Sequence, residues 1–298
     1  MISHGSAPVR PDEGYGRDRA VFVLRREAGC PSQAAHPAVA HDHLVVAFCT
    51  GGSAVIEQQG RWSLAEGDIV LIPSGAAHRH LEEKDSELWC LGLCPVCFRA
   101  EGGAELLSPL ERVRAGAASV VSIPVHRRAL LASFYAELQR ELDAPTTGTL
   151  TAQKSFVSLI LTEVARAMAS RPEAAGPSSV VNEALSYIES HCTESISLQD
   201  VAAAVHRSPG YVTTLVRRST GRSVQAWIIA GRLAEARRRL RNTDEMIEII
   251  AERVGYADAT HFIRLFRRAH GVTPAAWRTG HHGAASPPPV SRRAPRRE

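Results

Sequence analysis

Leu198-Gln199-Asp200-Val201-Ala202-Ala203-Ala204-Val205, followed by Ser208-Pro209-Gly210-Tyr211-Val212-Thr213-Thr214-Leu215-Val216-Arg217, is the stretch from which the rest of the chain can be read. In the first run Leu198, Val201, Ala202 and Val205 recur at helical spacing and share one face. Ser208 offers a helix N-cap oxygen, and Pro209 brings the fixed φ that a first helical turn wants. The second run is then a helix that buries Val212, Leu215 and Val216 and turns Gly210, Thr213, Thr214 and Arg217 outward. Two short helices around a tight turn, one of them showing a Thr/Arg face, is what a major-groove reader requires.

The unit recurs. Met246 to Val254 reads as a helix with Ile247, Ile250, Ala251 and Val254 inward, and Gly255 marks a turn. Asp258 caps a further helix that buries Phe262, Leu265 and Phe266. Its outward residues are Thr260, His261, Arg264, Arg267 and Arg268. Between the units, Val224 to Arg241 is a long helix with Trp227, Ile228, Leu233, Ala236 and Leu240 on its apolar side.

Ser208-Pro209-Gly210-Tyr211-Val212, Arg232-Leu233-Ala234-Glu235-Ala236-Arg237 and Ile250-Ala251-Glu252-Arg253-Val254-Gly255-Tyr256 resemble the AraC/XylS family of regulators. His261-Phe262-Ile263-Arg264-Leu265-Phe266-Arg267-Arg268 and Gly271-Val272-Thr273-Pro274-Ala275-Ala276-Trp277-Arg278 complete the resemblance in order and spacing. It implies a DNA-binding domain over 180–278 whose partner is double-stranded DNA, in a chain that acts as a homodimer and, as an activator, also meets RNA polymerase. Thr214 and Val216 stand where the family often has a basic residue and Phe, so the second reading helix, with Arg264, is expected to dominate sequence discrimination.

Charge agrees with that division. Residues 1–170 hold 16 Arg or Lys against 19 Asp or Glu, whereas residues 181–278 hold 14 against 10, all 14 being Arg. A basic rear half behind an acidic front half points to a polyanionic partner. No run reaches the roughly 18 apolar residues of a membrane span, and the start lacks the order of a signal peptide. Six cysteines among 298 residues are too few for a disulfide scaffold, so the expected compartment is the cytoplasm.

Residues 1–19 and 279–298 read as flexible ends rich in Gly, Pro and charge, and 171–179 as a linker. Residues 20–125 form the expected effector-binding domain, and from Ala20 to about Phe98 it reads as short strands: Val21–Leu24, Leu44–Phe48, Ser53–Glu57, Ile69–Ile72 and Leu88–Leu91, punctuated by Gly51-Gly52, Gln59-Gly60, Glu66-Gly67-Asp68 and Pro73-Ser74-Gly75. Two helices follow over 126–170, His126–Asp143 and Leu150–Ser170, apolar enough to suggest a dimerisation segment. The expected class is therefore α+β: a β-barrel with following helices, then an all-α domain with two helix-turn-helix units.

Gly67-Asp68-Ile69-Val70-Leu71-Ile72-Pro73-Ser74-Gly75-Ala76-Ala77-His78 resembles the second motif of cupin barrels, and His41-Asp42-His43 sits where the first motif has its His-x-His. That resemblance implies an effector pocket near His41, His43 and His78. A bound metal is a further option, since neutral imidazole suits Fe, Ni, Cu or Zn, but the cupin Glu is missing, with Ala47 and Phe48 in its place. Cys90, Cys94 and Cys97 form a C-x3-C-x2-C run, open to two readings: small buried hydrophobes, or a thiol or soft-metal sensor. The expected function is transcription regulation under a small-molecule, metal or redox effector, with no enzymatic activity and no required cofactor. The rival reading is a metal-dependent cupin enzyme, a dioxygenase or isomerase, with an attached helical domain.

Overall fold

The structure, a computed structural model, describes residues 10–11, 20–28, 37–169 and 179–282. Beside a short parallel pairing of Arg10–Pro11 with Val39–Ala40, the front half is built on a six-stranded antiparallel sheet. Its strands are β1 (Val21–Arg26), β2 (Leu44–Glu57), β3 (Arg61–Ala65), β4 (Asp68–Ile72), β5 (Arg79–Leu93) and β6 (Val120–Ser122). They lie in the order β1-β5-β2-β4-β6, with β3 on the far half of β2.

Leu44–Phe48 and Ser53–Glu57, expected as separate strands, are the two halves of β2. The register against β5 shifts between Cys49 and Gly51 and again before Ser53, so Gly51-Gly52 is a bulge that bends the strand rather than a turn that ends it. Likewise, Leu88–Leu91 is only the end of the fifteen-residue β5. Because β4 pairs with the near half of β2 and β3 with the far half, the sheet curls. It does not close. The outer side of β4 takes β6 instead of β1 among the described residues, and this corrects the expected barrel to an open, curled sheet.

Alternation along β2 sends its side chains to two cores. Val46 and Phe48 join Val23, Ile69, Leu71 and Leu91 against Leu131, Tyr135 and Leu138 of α3 (Val125–Asp143) and Val157, Ile160 and Val164 of α4 (Thr149–Ala169). The Tyr135 hydroxyl donates to Val46 O at 3.0 Å, so the buried phenol is satisfied. Ala47, Ala54 and Ile56 pack with Leu64, Val70 and Ile72 inside the curl. Ahead of α3 lie two helices that the apolar pattern did not reveal, α1 (Pro95–Ala100) and α2 (Ser108–Arg114).

The rear half is helical throughout: α5 (Val180–His191), α6 (Leu198–Ala204), α7 (Pro209–Thr220), α8 (Val224–Asn242), α9 (Ile247–Arg253), α10 (Ala259–His270) and α11 (Pro274–His282). The last helix passes the boundary expected at residue 278, so 279–282 are helical rather than tail. Of the expected linker only Ser179 is described, of the N-terminal segment only 10–11, and 283–298 lie outside the described residues. No helix among the described residues is long and apolar enough to cross a membrane.

Front and rear meet across a buried polar seam. Arg114 at the end of α2 donates to both carboxylate oxygens of Glu189 on α5, at 2.8 and 2.6 Å, and to Ser186 Oγ at 3.0 Å. It also donates to Ser74 O at 3.0 Å and Ser74 Oγ at 2.6 Å, while Asn182 donates to Arg114 O at 2.6 Å. Cys94, Val96 and Cys97 of the front half belong to the same apolar cluster as Leu185, Ile188, Val201, Val212 and Trp227.

Candidate nucleic-acid interface

The first unit is set by its caps. Ser197 N donates to Asp200 Oδ2 at 2.8 Å and starts α6; Tyr211 N donates to Ser208 Oγ at 3.4 Å and starts α7. Val201 and Ala202 of α6 and Val212 and Val216 of α7 are buried against Trp227 and Ile228 of α8. That leaves Gly210, Thr214 and Arg217 exposed and Thr213 half-buried, as the sequence predicts. Thr214 Oγ1 donates to Gly210 O at 3.0 Å, so its hydroxyl hydrogen is already used within the helix. Tyr211, 49% exposed, and Arg218, exposed, stand with Thr214 at i, i+7 and i+3 and extend this face. In the sequence nothing marks Arg218 as part of this face, whereas Tyr211 breaks the apolar stripe.

The second unit repeats the first. Asp258 caps α10 by accepting from Thr260 N at 2.8 Å and His261 N at 3.2 Å, bonds that hold its carboxyl below the usual value. Ile250, Ala251, Val254, Phe262, Leu265 and Phe266 share a core with Leu233, Ala236 and Leu240 of α8 and Trp277 of α11. Both turns pass through the left-handed region, at His206 (φ 52°) in the first unit and Gly255 (φ 87°) in the second. At Gly255 a Cβ would lie 2.9 Å from Thr193 O and 3.0 Å from the Arg232 guanidinium, so only glycine fits. Thr260, His261, Arg264, Arg267 and Arg268 are all exposed. Among the described residues, no carboxylate lies within ion-pair distance of Arg217, Arg264, Arg267 or Arg268.

Arg232 ties the units together. It is 8% exposed, donates to Cys192 O at 2.7 Å and Glu194 O at 2.8 Å, and lies over the Tyr256 ring at 5.2 Å. A cation so satisfied fixes the end of the first unit's support against the second unit. The two exposed helices, α7 and α10, are thereby held at a set separation on α8.

The front-half candidates divide differently from the expectation. His41 Nδ1 is 2.6 Å from His43 O and its ring lies 4.9 Å from that of His78, whereas His43 faces Asp42 at 3.0 Å and the edge of Phe22. His78 Nδ1 lies 3.1 Å from Ala76 O, and burial, with repulsion from His41, lowers its pKa to about 3. Each ring has one nitrogen engaged by a neighbour, and among the described residues no three His, Cys, Asp or Glu side chains are arranged to hold a metal. The metal option for His41, His43 and His78 does not fit this geometry. Cys90 also separates from the other thiols. It packs beside Ala47 inside the curl, where burial pushes it up to about 12, while Cys94 and Cys97 lie at the seam with Cys192. The expected three-sulfur cluster is therefore corrected: the third sulfur near the pair is Cys192, brought there by α5.

Two helix-turn-helix units on a shared helix, with unpaired arginines outward, define a DNA-binding protein. Residues 201–280 match the family described as "Helix-turn-helix domain". The chain is 34% identical to the regulatory protein PocR of Salmonella typhimurium over 110 residues, 37% of this chain and 36% of that protein. It is 26% identical to the HTH-type transcriptional activator RhaS of Klebsiella pneumoniae over 257 residues, 83% of this chain and 89% of RhaS. Among solved structures, it is similar to the C-terminal domain of AraT, a response regulator from Geobacillus stearothermophilus. That likeness has 33% identity and a TM-score of 0.34, over 35% of this chain and 86% of that one. Residues 201–280 thus carry a helix-turn-helix domain, and the chain is similar to curated transcriptional regulators, although it spans only about a third of PocR's length. These relatives are regulators, which favours that reading over a cupin dioxygenase or isomerase.

Proposed function

We propose that α7 and α10 enter two successive major-groove segments on one face of DNA, about 34 Å apart, and that the front half adjusts this binding in response to an effector. The observation that carries the reading is the pair of exposed helices, with arginines free of carboxylates, locked on α8 by Arg232. In this reading Arg264, exposed on α10, makes a bidentate contact with a guanine edge. Arg217, Arg267 and Arg268 meet phosphates; Gly210 admits the backbone close to DNA; Thr213, Thr214, Thr260 and His261 line the two reading faces. The effector is sensed in the curled sheet or at its seam, and as an activator the chain also touches RNA polymerase. It works in the cytoplasm, where its DNA is.

The test uses a site selected by the full chain from random duplexes. Arg264→Ala is expected to weaken that site by about 1–3 kcal/mol at fixed salt while leaving binding to unrelated DNA nearly unchanged. Arg267→Ala weakens all sequences alike and flattens the salt slope by about one unit. Unchanged affinity of Arg264→Ala for the selected site would overturn the placement of α10.

The chain is further proposed to pair with a second copy through α3 and α4. These helices already bury one face on the sheet, yet Leu130 and Leu159 remain 38% and 42% exposed, beside half-buried Phe134 and Phe156. In an isologous interface each substitution acts twice. Leu159→Glu is expected to give monomers by analytical ultracentrifugation at micromolar concentration, with reduced but measurable DNA binding. A wild-type chain that sediments as a monomer at that concentration contradicts the pairing.

A further inference from the structure

The seam holds a thiol chemistry that DNA binding does not use. Cys97 N donates to Cys94 Sγ at 3.4 Å, and the Cys97 thiol donates to Ala234 O of α8 at 3.5 Å. A Cβ on Gly231 of α8 would lie 2.7 Å from Cys192 Sγ and 3.6 Å from Val96, so α1, the end of α5 and α8 converge at one point. Cys94 lines a narrow cleft of about 30 Å³ between the halves, together with Asp42, His43, Trp227 and Arg237. The Cys94 side chain, 5% exposed, lies on the wall of that cleft. The hydrogen bond with Cys97 lowers the Cys94 pKa, helped by His43 and Arg237 and opposed by burial. Interaction with the Cys94 sulfur and burial raise Cys97, so the pair divides into a sulfur that ionises more readily and one that keeps its proton.

We propose that Cys94 and Cys97 form a reversible oxidation site for hydroperoxides, and that closing their disulfide loosens the contact between the front half and α8. The regulatory consequence rests on the DNA-binding reading above; the chemistry does not. The Cys94 thiolate attacks the peroxide oxygen, the S–O bond forms, the O–O bond breaks, and the alkoxide or hydroxide leaves and takes a proton. Cys97 sulfur then attacks the sulfenic acid; the S–S bond forms, the S–O bond breaks, and water leaves with the Cys97 proton. A dithiol reductant reverses the change.

Cys94 is the N-cap of α1, in extended backbone, and Cys97 stands three residues on, so the two side chains face each other across the first turn. Ring closure draws the Cys97 sulfur onto that of Cys94. It also removes the Cys97 S–H that donates to Ala234 O, and with it one of the contacts between α1 and the helix that carries both DNA-facing units.

The experiment treats the reduced full chain with tert-butyl hydroperoxide, caps free thiols with iodoacetamide and maps the products by mass. The peptide holding both cysteines is expected to lose two hydrogens and to regain them with dithiothreitol. Cys94→Ser is expected to slow thiol loss by roughly tenfold or more. Cys97→Ser stops at a sulfenic acid on Cys94 that dimedone traps, and Cys90→Ser reacts as the parent does. Hydrogen exchange across residues 224–237 rises about threefold or more on oxidation of the parent and stays level in Cys97→Ser. Cys94 and Cys97 left reduced, a bridge to Cys192 instead, or unchanged exchange in the bridged chain overturns the proposal. Failure of the DNA-binding reading would show separately, as a reduced chain that selects no duplex.

Discussion

Replacing Arg114 with alanine is expected to destabilise the chain by about 3–5 kcal/mol and to part its two halves. The guanidinium is 6% exposed and spends its donors on Glu189, Ser186 and Ser74, which come from α5 and from the turn after β4. Once it is gone, the Glu189 carboxylate, only 10% exposed, stays buried without its cation, and the Ser74 carbonyl loses its donor. That desolvation, more than the lost attraction, sets the size of the effect. Arg114→Lys rescues little, because an ammonium cannot reproduce the planar fork that serves Glu189 and Ser74 together. Arg114→Met combined with Glu189→Leu removes both charges and is expected to recover most of the loss. Urea unfolding measures all three variants. A change under about 1 kcal/mol for Arg114→Ala would mean that water reaches the seam freely.

Phe262→Ala is expected to unfold the second helix-turn-helix unit, at about 3–5 kcal/mol. Phe262 is fully buried, its ring 5.6 Å from Tyr256 and 5.8 Å from Phe266, which in turn stands 5.9 Å from Trp277. Those rings are the centre of a small core, and little around them can collapse into the space. α10 owes its position to this core, so specific DNA affinity falls towards the non-specific level while the front half stays folded. Phe262→Leu keeps most of the volume and is expected to lose under about 1.5 kcal/mol. Near-ultraviolet circular dichroism and binding to the selected duplex follow both variants. Parent-like stability and affinity in Phe262→Ala would show that the second unit does not depend on this core.

The helical half was legible because its signals are local. Ser208-Pro209 and Asp258 announce helix starts, Gly255 a turn, and Val201/Val212/Val216 or Ile250/Phe262/Phe266 lie at spacings that a single pass can read. The left-handed turn at His206 was not, since a histidine carries no glycine-like signal. In the front half the apolar runs located the strands but not their continuity. Gly51-Gly52 has the composition of a turn, and only pairing with β5 makes it a bulge. Closure was misjudged for the same reason: whether β4 pairs with β1 or β6 is decided far along the chain.

The seam was invisible in the sequence. Arg114 and Glu189 are seventy-five residues apart, in helices that no pattern joins, and a buried arginine looks like a surface one until its partners are known. The same distance hid Cys192 beside Cys94 and made Cys90, close in sequence, look like the third sulfur. The ring of His41 lies against that of His78, and hydrogen bonds to backbone carbonyls and to Asp42 engage one nitrogen of each of the three histidines, contacts that no spacing in the sequence announces.

The central claim, that one chain reads DNA with two units locked on α8, is tested most directly by hydroxyl-radical footprinting with base-interference mapping on the selected duplex. The full chain is expected to contact two major-groove segments per protomer on one DNA face, about 34 Å apart, and Arg264→Ala to erase contacts in only one of them. A single contacted segment per protomer, or two segments unaffected by Arg264→Ala, would contradict it.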